Sequence, residues 1–382
     1  MAAESSALRA LISPGRYVQG NGVLTRLGER IEKLGANPLL LADDVVREIV
    51  EPTVRSSFDA AGVPVVFERF GGTPTAAESS RVASVLREKG LDVVVGVGGG
   101  APIDTAKAAG DDLGLPVVAV PTVASTDAPT SALSVVYTAE GSFEAYRFYE
   151  RNPDLVVVDT GLVAGAPVGF LVSGVGDALA TWIEARSVVG GNGTTMAGGS
   201  PTKAGTALAK LSWDILWESA PAAVRAVAHD LVTPDVEAVV EANTLLSGLG
   251  FESGGLAAAH AIHDGLTAVP QTHGLSHGQK VNIGSIAQLV LEGTPDAEVA
   301  EFARFTAQLG LPTTLTEAGL AGQDQALRSV AEAATDPAET IHNMRFRVGA
   351  DDVVRALRAV ELVGRHVRAQ AGLPDPRPPA GH

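Results

Sequence analysis

The chain has 382 residues, of which 46% are hydrophobic and 19% are charged, and its formal net charge is -16. This length and composition are typical of a globular protein with room for two domains. An acidic surface repels nucleic-acid phosphates and anionic lipids, so we expect neither nucleic acid nor a membrane as a partner. The absence of cysteine excludes disulfides and thiolate metal sites, and it agrees with a cytoplasmic location.

The first 160 residues alternate short apolar runs with amphipathic stretches. This alternation is typical of parallel strands joined by right-handed crossover helices. Alternating apolar residues over 131–149, around Glu140-Gly141, predict an inserted β-hairpin. The apolar runs predict five buried strands, at residues 38–42, 63–67, 91–97, 115–120 and 155–159. Helices are predicted between them at residues 44–61 and 76–89.

Strand patterns end after about residue 162, and the remainder has apolar spacing near 3.6 residues. Turns rich in glycine and proline separate the helical patterns. The predicted helices include residues 176–188, 202–219, 234–249, 256–268 and 281–291. We therefore expect an α/β N-terminal dinucleotide-binding domain over residues 1–162 and an all-α C-terminal domain over residues 163–382.

A glycine-rich turn follows the predicted strand at 91–97. Gly98, Gly99 and Gly100 let a backbone approach an anion closely, and the next helix supplies free N–H groups. A dinucleotide site of this type usually has an acid about 20 residues later, but residues 115–120 contain none. Asp43, after the strand at 38–42, could bind the ribose instead if the two strands are neighbours, and it would favour NAD over NADP. Alternatively, the glycines form only a tight turn.

Four of the eight histidines fall in one 18-residue window, His260, His263, His273 and His277. They form two closely spaced pairs, His260 with His263 and His273 with His277. A zinc ion with an open coordination position needs about three nitrogen or oxygen ligands, and one histidine from each pair together with a carboxylate would supply them. Asp177, after Gly174-Val175-Gly176, is the strongest candidate for the carboxylate. The alternatives are that Asp177 caps a helix and that the histidines are hydrogen-bonded core residues.

Three long blocks carry a resemblance to a known family. They are PTVASTDAPTSALS at residues 121–134, GDALATW at 176–182 and GFESGGLAAAHAIH at 250–263. These blocks resemble those of bacterial glycerol dehydrogenases, in the iron-containing alcohol dehydrogenase and dehydroquinate synthase-like group, and the likeness runs from about residue 10 to 370. The resemblance implies a dehydroquinate synthase-like two-domain fold with a cleft, a homo-oligomer, expected to be an octamer, and a small neutral polyol as substrate.

The resemblance also implies roles for individual residues. Asp177, His260 and His277 match the ligands of one zinc ion per chain, and Thr181 stands where the iron-dependent relatives have a further histidine. Asp127 matches the aspartate that contacts substrate. The positions that match NAD contacts are Asp43, Gly99, Gly100, Asp104, Thr122, Ser125, Ser131, Leu133 and Tyr137.

We therefore expect oxidation of glycerol to dihydroxyacetone, with hydride transfer to NAD. Ala101-Pro102 replaces the Lys-Thr pair common in glycerol dehydrogenases, so a cation is missing beside the pyrophosphate. Arg345 and Arg347 would also admit an acidic substrate. Another diol or glycerol phosphate is the main alternative. A lyase of the dehydroquinate synthase type and a non-catalytic NAD-binding oligomer are the others.

Overall fold

The computed structural model describes residues 8–139, 143–191 and 193–379. They form two compact units. An α/β unit comprises residues 12–171 and 225–248, and a helical unit comprises the stretch ending at Leu11, residues 172–224 and everything from Leu249 onward. The sequence predicted a single domain boundary at residue 162. The structure differs, because residues 225–248 return to the α/β unit.

The α/β unit is built on a six-stranded parallel sheet with the order β1-β8-β5-β4-β2-β3. A separate antiparallel hairpin is formed by β6 and β7. The strands are β1 (Tyr17–Gly20), β2 (Pro38–Ala42), β3 (Val66–Arg69), β4 (Val93–Gly98), β5 (Val117–Pro121), β6 (Leu133–Tyr137), β7 (Phe143–Phe148) and β8 (Leu155–Asp159).

Five of the six sheet strands were expected, and two matched their predicted ends. The third strand lies at Val66–Arg69, so the prediction at 63–67 began too early. The strand β1 was missed because it has only four residues and lies at the sheet edge, where it pairs with β8. The predicted hairpin is confirmed by β6 and β7, and its turn at Glu140-Gly141 lies outside the described residues.

Helices cover both faces of the sheet. Successive side chains along each strand point to opposite faces of the sheet, so there is one core cluster on each face. Leu40, Val95 and Val118 belong to one cluster, and Leu39 and Val94 belong to the other. The helices before residue 172 are α1 (Leu27–Ile31), α2 (Asp44–Ala61), α3 (Ala76–Glu88), α4 (Gly100–Leu113) and α5 (Thr160–Ala164), followed by the start of α6 (Val168–Val189).

The later described residues contain no named strand, as expected. The remaining helices are α7 (Lys203–Val227), α8 (Pro234–Glu241), a π-helical turn (Ala242–Leu246), α9 (Ser247–Gly254), α10 (Ala258–Thr267), α11 (His277–Leu291), α12 (Asp296–Gln308), α13 (Asp324–Ala334) and α14 (Ala350–Ala371). Among the described residues, only α6 is long and apolar enough to cross a membrane, and 78% of its most apolar window is buried inside the protein.

The segment 225–248 is held to the sheet by side chains of β1. The Tyr17 hydroxyl hydrogen-bonds the Thr244 hydroxyl at 2.8 Å. The Gln19 amide donates to both the carbonyl and the carboxylate of Glu237 on α8. These long-range bonds are the physical reason that a stretch of helices, late in the chain, belongs to the α/β unit.

Candidate functional site

Glycines bring three helices of the helical unit into direct backbone contact. A Cβ atom on Gly278 of α11 would lie 1.7 Å from the Ser173 carbonyl oxygen of α6. On Gly176 of α6 it would lie 2.6 Å from the Gly278 carbonyl oxygen. A Cβ atom on Gly284 would lie 2.3 Å from the Ala259 carbonyl oxygen of α10. Only glycine permits these approaches, and they place α6, α10 and α11 around one point.

Asp177, His260 and His277 meet at that point, one from each helix. Their ligand atoms all lie within 4.8 Å of one another. The Nε2 atom of His277 is 2.9 Å from Asp177 Oδ1, and that of His260 is 3.3 Å from the same oxygen. Asp177 is 1% exposed, whereas the His277 side chain is 33% exposed, so the group is open on the His277 side.

The alternative that Asp177 caps a helix is wrong. Asp177 lies nine residues inside α6, because the helix continues through Gly174 and Gly176 and begins at Val168. Its carboxylate therefore serves no helix terminus. Burial alone would raise the pKa of Asp177, but the charge of His277 and hydrogen bonds from both histidines hold it well below its usual range.

Glu184, which the sequence analysis did not identify, orients His260. Its Oε2 atom is 2.5 Å from His260 Nδ1, and its Oε1 atom accepts hydrogen bonds from the backbone N–H groups of Ala257 and His260. The carboxylate is completely buried. A proton held on Nδ1 leaves the Nε2 lone pair free to bind a cation, which is the usual arrangement of a metal-binding histidine. Burial would lower the pKa of His260, but Glu184 and Asp177 raise it well above its ordinary value.

Two nitrogen atoms and one carboxylate oxygen, converging and open on one side, fit a divalent metal ion such as zinc or ferrous iron. The neighbouring His263 packs against this group, with its ring centroid 4.2 Å from that of His277, and its Nδ1 atom lies 2.9 Å from Asp264 Oδ1. Burial and the His277 charge lower the pKa of His263 to about 4, so it is neutral at pH 7. His273 is exposed and lies outside the group.

A cavity of about 900 Å³ lies in the α/β unit, at the carboxyl ends of the strands. The strands β2 and β4 are parallel neighbours, so Asp43 and the glycine turn after β4 share this edge. Val45 and Ile49, exposed by 70% and 60%, line the same cavity and could contact an apolar ring. Of the predicted cofactor residues, five line it: Asp43, Gly99, Gly100, Thr122 and Ser125.

The other predicted cofactor residues do not line this cavity. Three of them surround the buried ammonium of Lys107: it donates to the Leu133 carbonyl at 2.8 Å and to Ser131 Oγ at 3.1 Å, and it pairs with Asp104 at 3.4 Å. Burial raises the pKa of Asp104, and Lys107 opposes that shift. The fourth, Tyr137, is half-buried on β6. The bonds of Lys107 tie Ser131 and Leu133, at the start of the hairpin, to α4, and contact of these four residues with a cofactor stays a prediction.

Asp127 lies in the loop after β5 and is 8% exposed. The Ser247 hydroxyl, at the first residue of α9, donates to Asp127 Oδ2 at 2.7 Å. The preceding π-helical turn sets the position of Ser247, and such turns are frequent at functional sites. Asp127 is therefore held in one orientation by a hydroxyl from the returning segment 225–248.

Comparison with known proteins agrees with the resemblance of the three blocks. The sequence pattern of iron-containing alcohol dehydrogenases matches residues 14–160. A glycolaldehyde reductase of Halobacterium salinarum is 51% identical over 357 residues, which are 93% of this chain and 98% of that protein. The chain belongs to the iron-containing alcohol dehydrogenase family.

Other members extend this finding to structure. A glycerol dehydrogenase of Thermotoga maritima is 49% identical, with 93% of this chain and 97% of that protein covered. The crystal structure of glycerol dehydrogenase from Schizosaccharomyces pombe superposes with a TM-score of 0.94 at 40% identity, covering 99% of this chain and 97% of that one. The expected family and its fold, an α/β unit with a helical unit, are confirmed.

Proposed function

We propose that this member of the family is a zinc-dependent, NAD-linked polyol dehydrogenase that oxidises glycerol to dihydroxyacetone. The observation that carries the proposal is the convergence of Asp177, His260 and His277, with Glu184 fixing the His260 ring. Relatives 46% and 49% identical over most of the chain are glycerol dehydrogenases, and they support glycerol as the substrate.

Zinc is favoured over iron by Thr181. This residue lies one helical turn after Asp177, where the resemblance implies a fourth ligand histidine in iron-dependent members. Thr181 is fully buried, and a Cβ atom on Gly250 would lie 2.8 Å from its methyl group. A three-ligand site with an open position is the arrangement of catalytic zinc.

NAD is favoured by Asp43 beside the glycine turn. A carboxylate at this place accepts hydrogen bonds from ribose hydroxyls and repels a 2′-phosphate. Backbone N–H groups at the start of α4 supply the phosphate contacts that Ala101-Pro102 cannot supply through side chains. The apolar side chains of Val45 and Ile49 suit the adenine ring.

The mechanism assigns each residue a physical task. Asp177, His260 and His277 would hold a zinc ion, which would supply a Lewis acid for the substrate hydroxyl, and bound NAD would supply the hydride acceptor. Glu184 keeps His260 in the tautomer that leaves Nε2 free. Asp127, oriented by Ser247, binds a substrate hydroxyl and accepts its proton. Orientation of the reacting groups by such fixed side chains lowers the entropic part of the barrier.

A second candidate is the oxidation of another 1,2-diol, or the reduction of the corresponding hydroxyaldehyde. The relative that is 51% identical is a glycolaldehyde reductase, and glycolaldehyde reduction is the reverse of oxidising a two-carbon diol. The same site would serve either substrate, since both carry adjacent oxygen atoms.

A steady-state assay of NADH absorbance decides between these functions. Zinc-loaded protein is offered glycerol, ethylene glycol, 1,2-propanediol and glycerol 1-phosphate, each with NAD or NADP. We expect glycerol to have the highest kcat/KM, with NAD preferred. The absence of NADH from every alcohol would refute the dehydrogenase, and a preference for NADP would refute the role of Asp43. His277→Ala should abolish turnover and bound zinc, whereas the exposed His229→Ala is the matched control.

A homo-octamer and a cytoplasmic location are proposed from the family resemblance and the absence of cysteine. Light scattering of the purified protein tests the first, and cell fractionation tests the second. A monomer in solution would contradict the assembly.

A further inference from the structure

The start of α10 is a buried helix end. Its first four backbone N–H groups, at residues 257–260, have no acceptor within the helix, and these residues are all buried. Two completely buried side chains accept all four bonds. Glu184 on α6 takes the first and the last, and Gln288 on α11 takes the two between them, each at 2.9 Å. The position of His260, the last of these residues, therefore depends on Gln288 as well as on Glu184.

Gln288 uses all of its hydrogen-bonding groups at this place. Its amide oxygen accepts the two bonds from α10, and its amide nitrogen donates to the Ile183 carbonyl of α6 at 3.2 Å and to Glu292 Oε1 at 3.0 Å. An amide has two donor hydrogens and two acceptor lone pairs, so none is left over and the orientation of the side chain is fixed. Since Ile183 directly precedes Glu184, one amide joins α6, α10 and α11 beside the carboxylate that orients His260.

The face of α11 that carries Gln288 also carries His277. The two residues are separated by about three helical turns. Between them, Gly284 brings the backbone of α11 against α10, where a Cβ atom would lie 2.3 Å from the Ala259 carbonyl oxygen. Gln288 lies one turn beyond this contact and bonds the N–H group of the same Ala259. The helix α10 is thus held on α11 at two neighbouring points, and His260 is the next residue along the chain.

We propose that Gln288 is a positioning residue of the candidate metal centre. It holds the start of α10 between α6 and α11, so that the His260 ring keeps its 2.5 Å contact with Glu184 and its Nε2 atom stays 3.3 Å from Asp177. A ligand that is held in place before the metal arrives loses less freedom on binding. An apolar side chain at position 288 would leave two buried N–H groups unpaired. This inference rests on the metal centre of the proposed function and not on the identity of the alcohol.

The test uses Gln288→Met, which removes the amide with little change in side-chain length. Cobalt(II) is the probe, because it binds where zinc binds and its visible absorption depends on the coordination geometry. We expect the affinity for cobalt and for zinc to fall by about 10-fold or more, measured by competition with a chromogenic chelator. The absorption of bound cobalt should weaken and shift. Gln288→Asn leaves room for a water molecule beside the shortened amide, so it should fold even if Gln288→Met does not, and it should change affinity and absorption in the same direction.

Asn282→Leu is the matched control. Asn282 is another completely buried amide of α11, but its bonds go to the Pro312 carbonyl at 2.9 Å and to the Thr306 hydroxyl at 3.3 Å, away from α10. We expect Asn282→Leu to lower the free energy of unfolding and to leave the cobalt affinity and absorption as in the wild type. If both variants lose cobalt affinity equally, or if the Gln288 variants bind cobalt as the wild type does, Gln288 has only a structural role and the proposal is overturned.

Metal binding is measured without turnover, which separates this inference from the proposed function. If no alcohol is oxidised but Gln288→Met alone loses cobalt affinity, the dehydrogenase fails and the role of Gln288 stands. If glycerol is oxidised and Gln288→Met keeps the cobalt affinity and absorption of the wild type, the dehydrogenase stands and the role of Gln288 fails.

Discussion

Glu184 acts on the candidate metal centre through another residue. All three of its described hydrogen bonds go to the helix start that carries His260, two to backbone N–H groups and one to the imidazole. A carboxylate so placed fixes both the position of the ring and its tautomer. It does this from a completely buried position on α6, seven residues after Asp177.

Replacing Glu184 with Gln should weaken metal binding without removing a metal ligand. The amide can still accept from the backbone, but it lacks the charge that holds the proton on His260 Nδ1. We expect zinc affinity to fall by about 10- to 100-fold, measured by competition with a chromogenic chelator. The exposed Glu301→Gln on α12 is the matched control. Unchanged affinity would mean that Glu184 only supports the fold.

The residues of the site differ in how visible they are in the sequence. Clustered histidines and an aspartate indicated a possible metal site, because metal binding needs these side-chain types, and the family resemblance selected Asp177, His260 and His277 as its proposed ligands. Glu184 left no such signal, since a single acid on an apolar helix has the same appearance whether it is buried or exposed. Its significance depends on which helix faces which, and that is determined by long-range packing.

At the scale of elements, the contact of α6 with α11 determines the geometry of the centre. The backbone of Gly278 lies directly against Ser173, and the Ser173 hydroxyl accepts from the Gly278 N–H group at 3.2 Å. Gly176 makes the reciprocal approach from α6. The separation of the two helices therefore sets the distance between Asp177 and His277, which lie next to these glycines.

Gly278→Ala should push the two helices apart. The new methyl group would meet backbone, which cannot rotate away, so we expect a loss of about 1–3 kcal/mol or more in the free energy of unfolding, together with weaker zinc binding. Gly169→Ala, on the other helix of this contact, α6, at a position where a Cβ atom meets nothing within 4 Å, should instead be neutral or stabilising by up to about 1 kcal/mol. Denaturant unfolding of both variants checks this, and equal stabilities would contradict the close contact.

Glu339, the residue before the short turn at Thr340–Asn343, makes the free energy of unfolding depend on pH. The pKa of Glu339 is raised to about 7, chiefly by burial of its carboxyl group. Because the folded pKa lies above the unfolded one, the folded state binds more protons between these values. The contribution of Glu339 to the free energy of unfolding is therefore largest at low pH, and it falls as the pH rises from about 4.5 through 7.

Glu339→Gln should remove the destabilisation that the buried, ionised Glu339 causes at high pH. We expect the variant to be more stable than the wild type at pH 8 and to lose that advantage at pH 4.5, where Glu339 is protonated in the folded state. Thermal unfolding at both pH values measures the difference. The exposed Glu332→Gln on α13 is the control and should show no such dependence. An advantage that is constant with pH would argue against a raised pKa.

At the scale of the whole molecule, the order of strands and helices was readable from the sequence. Buried strands of continuous valine and leucine, separated by amphipathic helices, leave little alternative to a parallel sheet. The strand β1 and the return of residues 225–248 could not be predicted, because both depend on distant segments: β1 pairs with β8, more than 100 residues later, and residues 225–248 are held by hydrogen bonds to residues more than 200 positions away. A sequence pattern describes local periodicity and contains no such pairing.

The metal should also contribute to the stability of the helical unit, since its proposed ligands come from α6, α10 and α11. An ion that binds only the folded state stabilises it by about 2.7 kcal/mol at 100 times its dissociation constant. Chelation should therefore lower the thermal midpoint by several degrees, and equimolar zinc should restore it. Hydrogen bonds and charge from the histidines partly compensate Asp177 in the metal-free protein, so we expect a reduced thermal midpoint rather than an unfolded chain.

His277→Ala should show no change in thermal midpoint on chelation, and a change of wild-type size in that variant would refute the ligand assignment. Restoration by ferrous iron but not by zinc would refute the choice of metal alone.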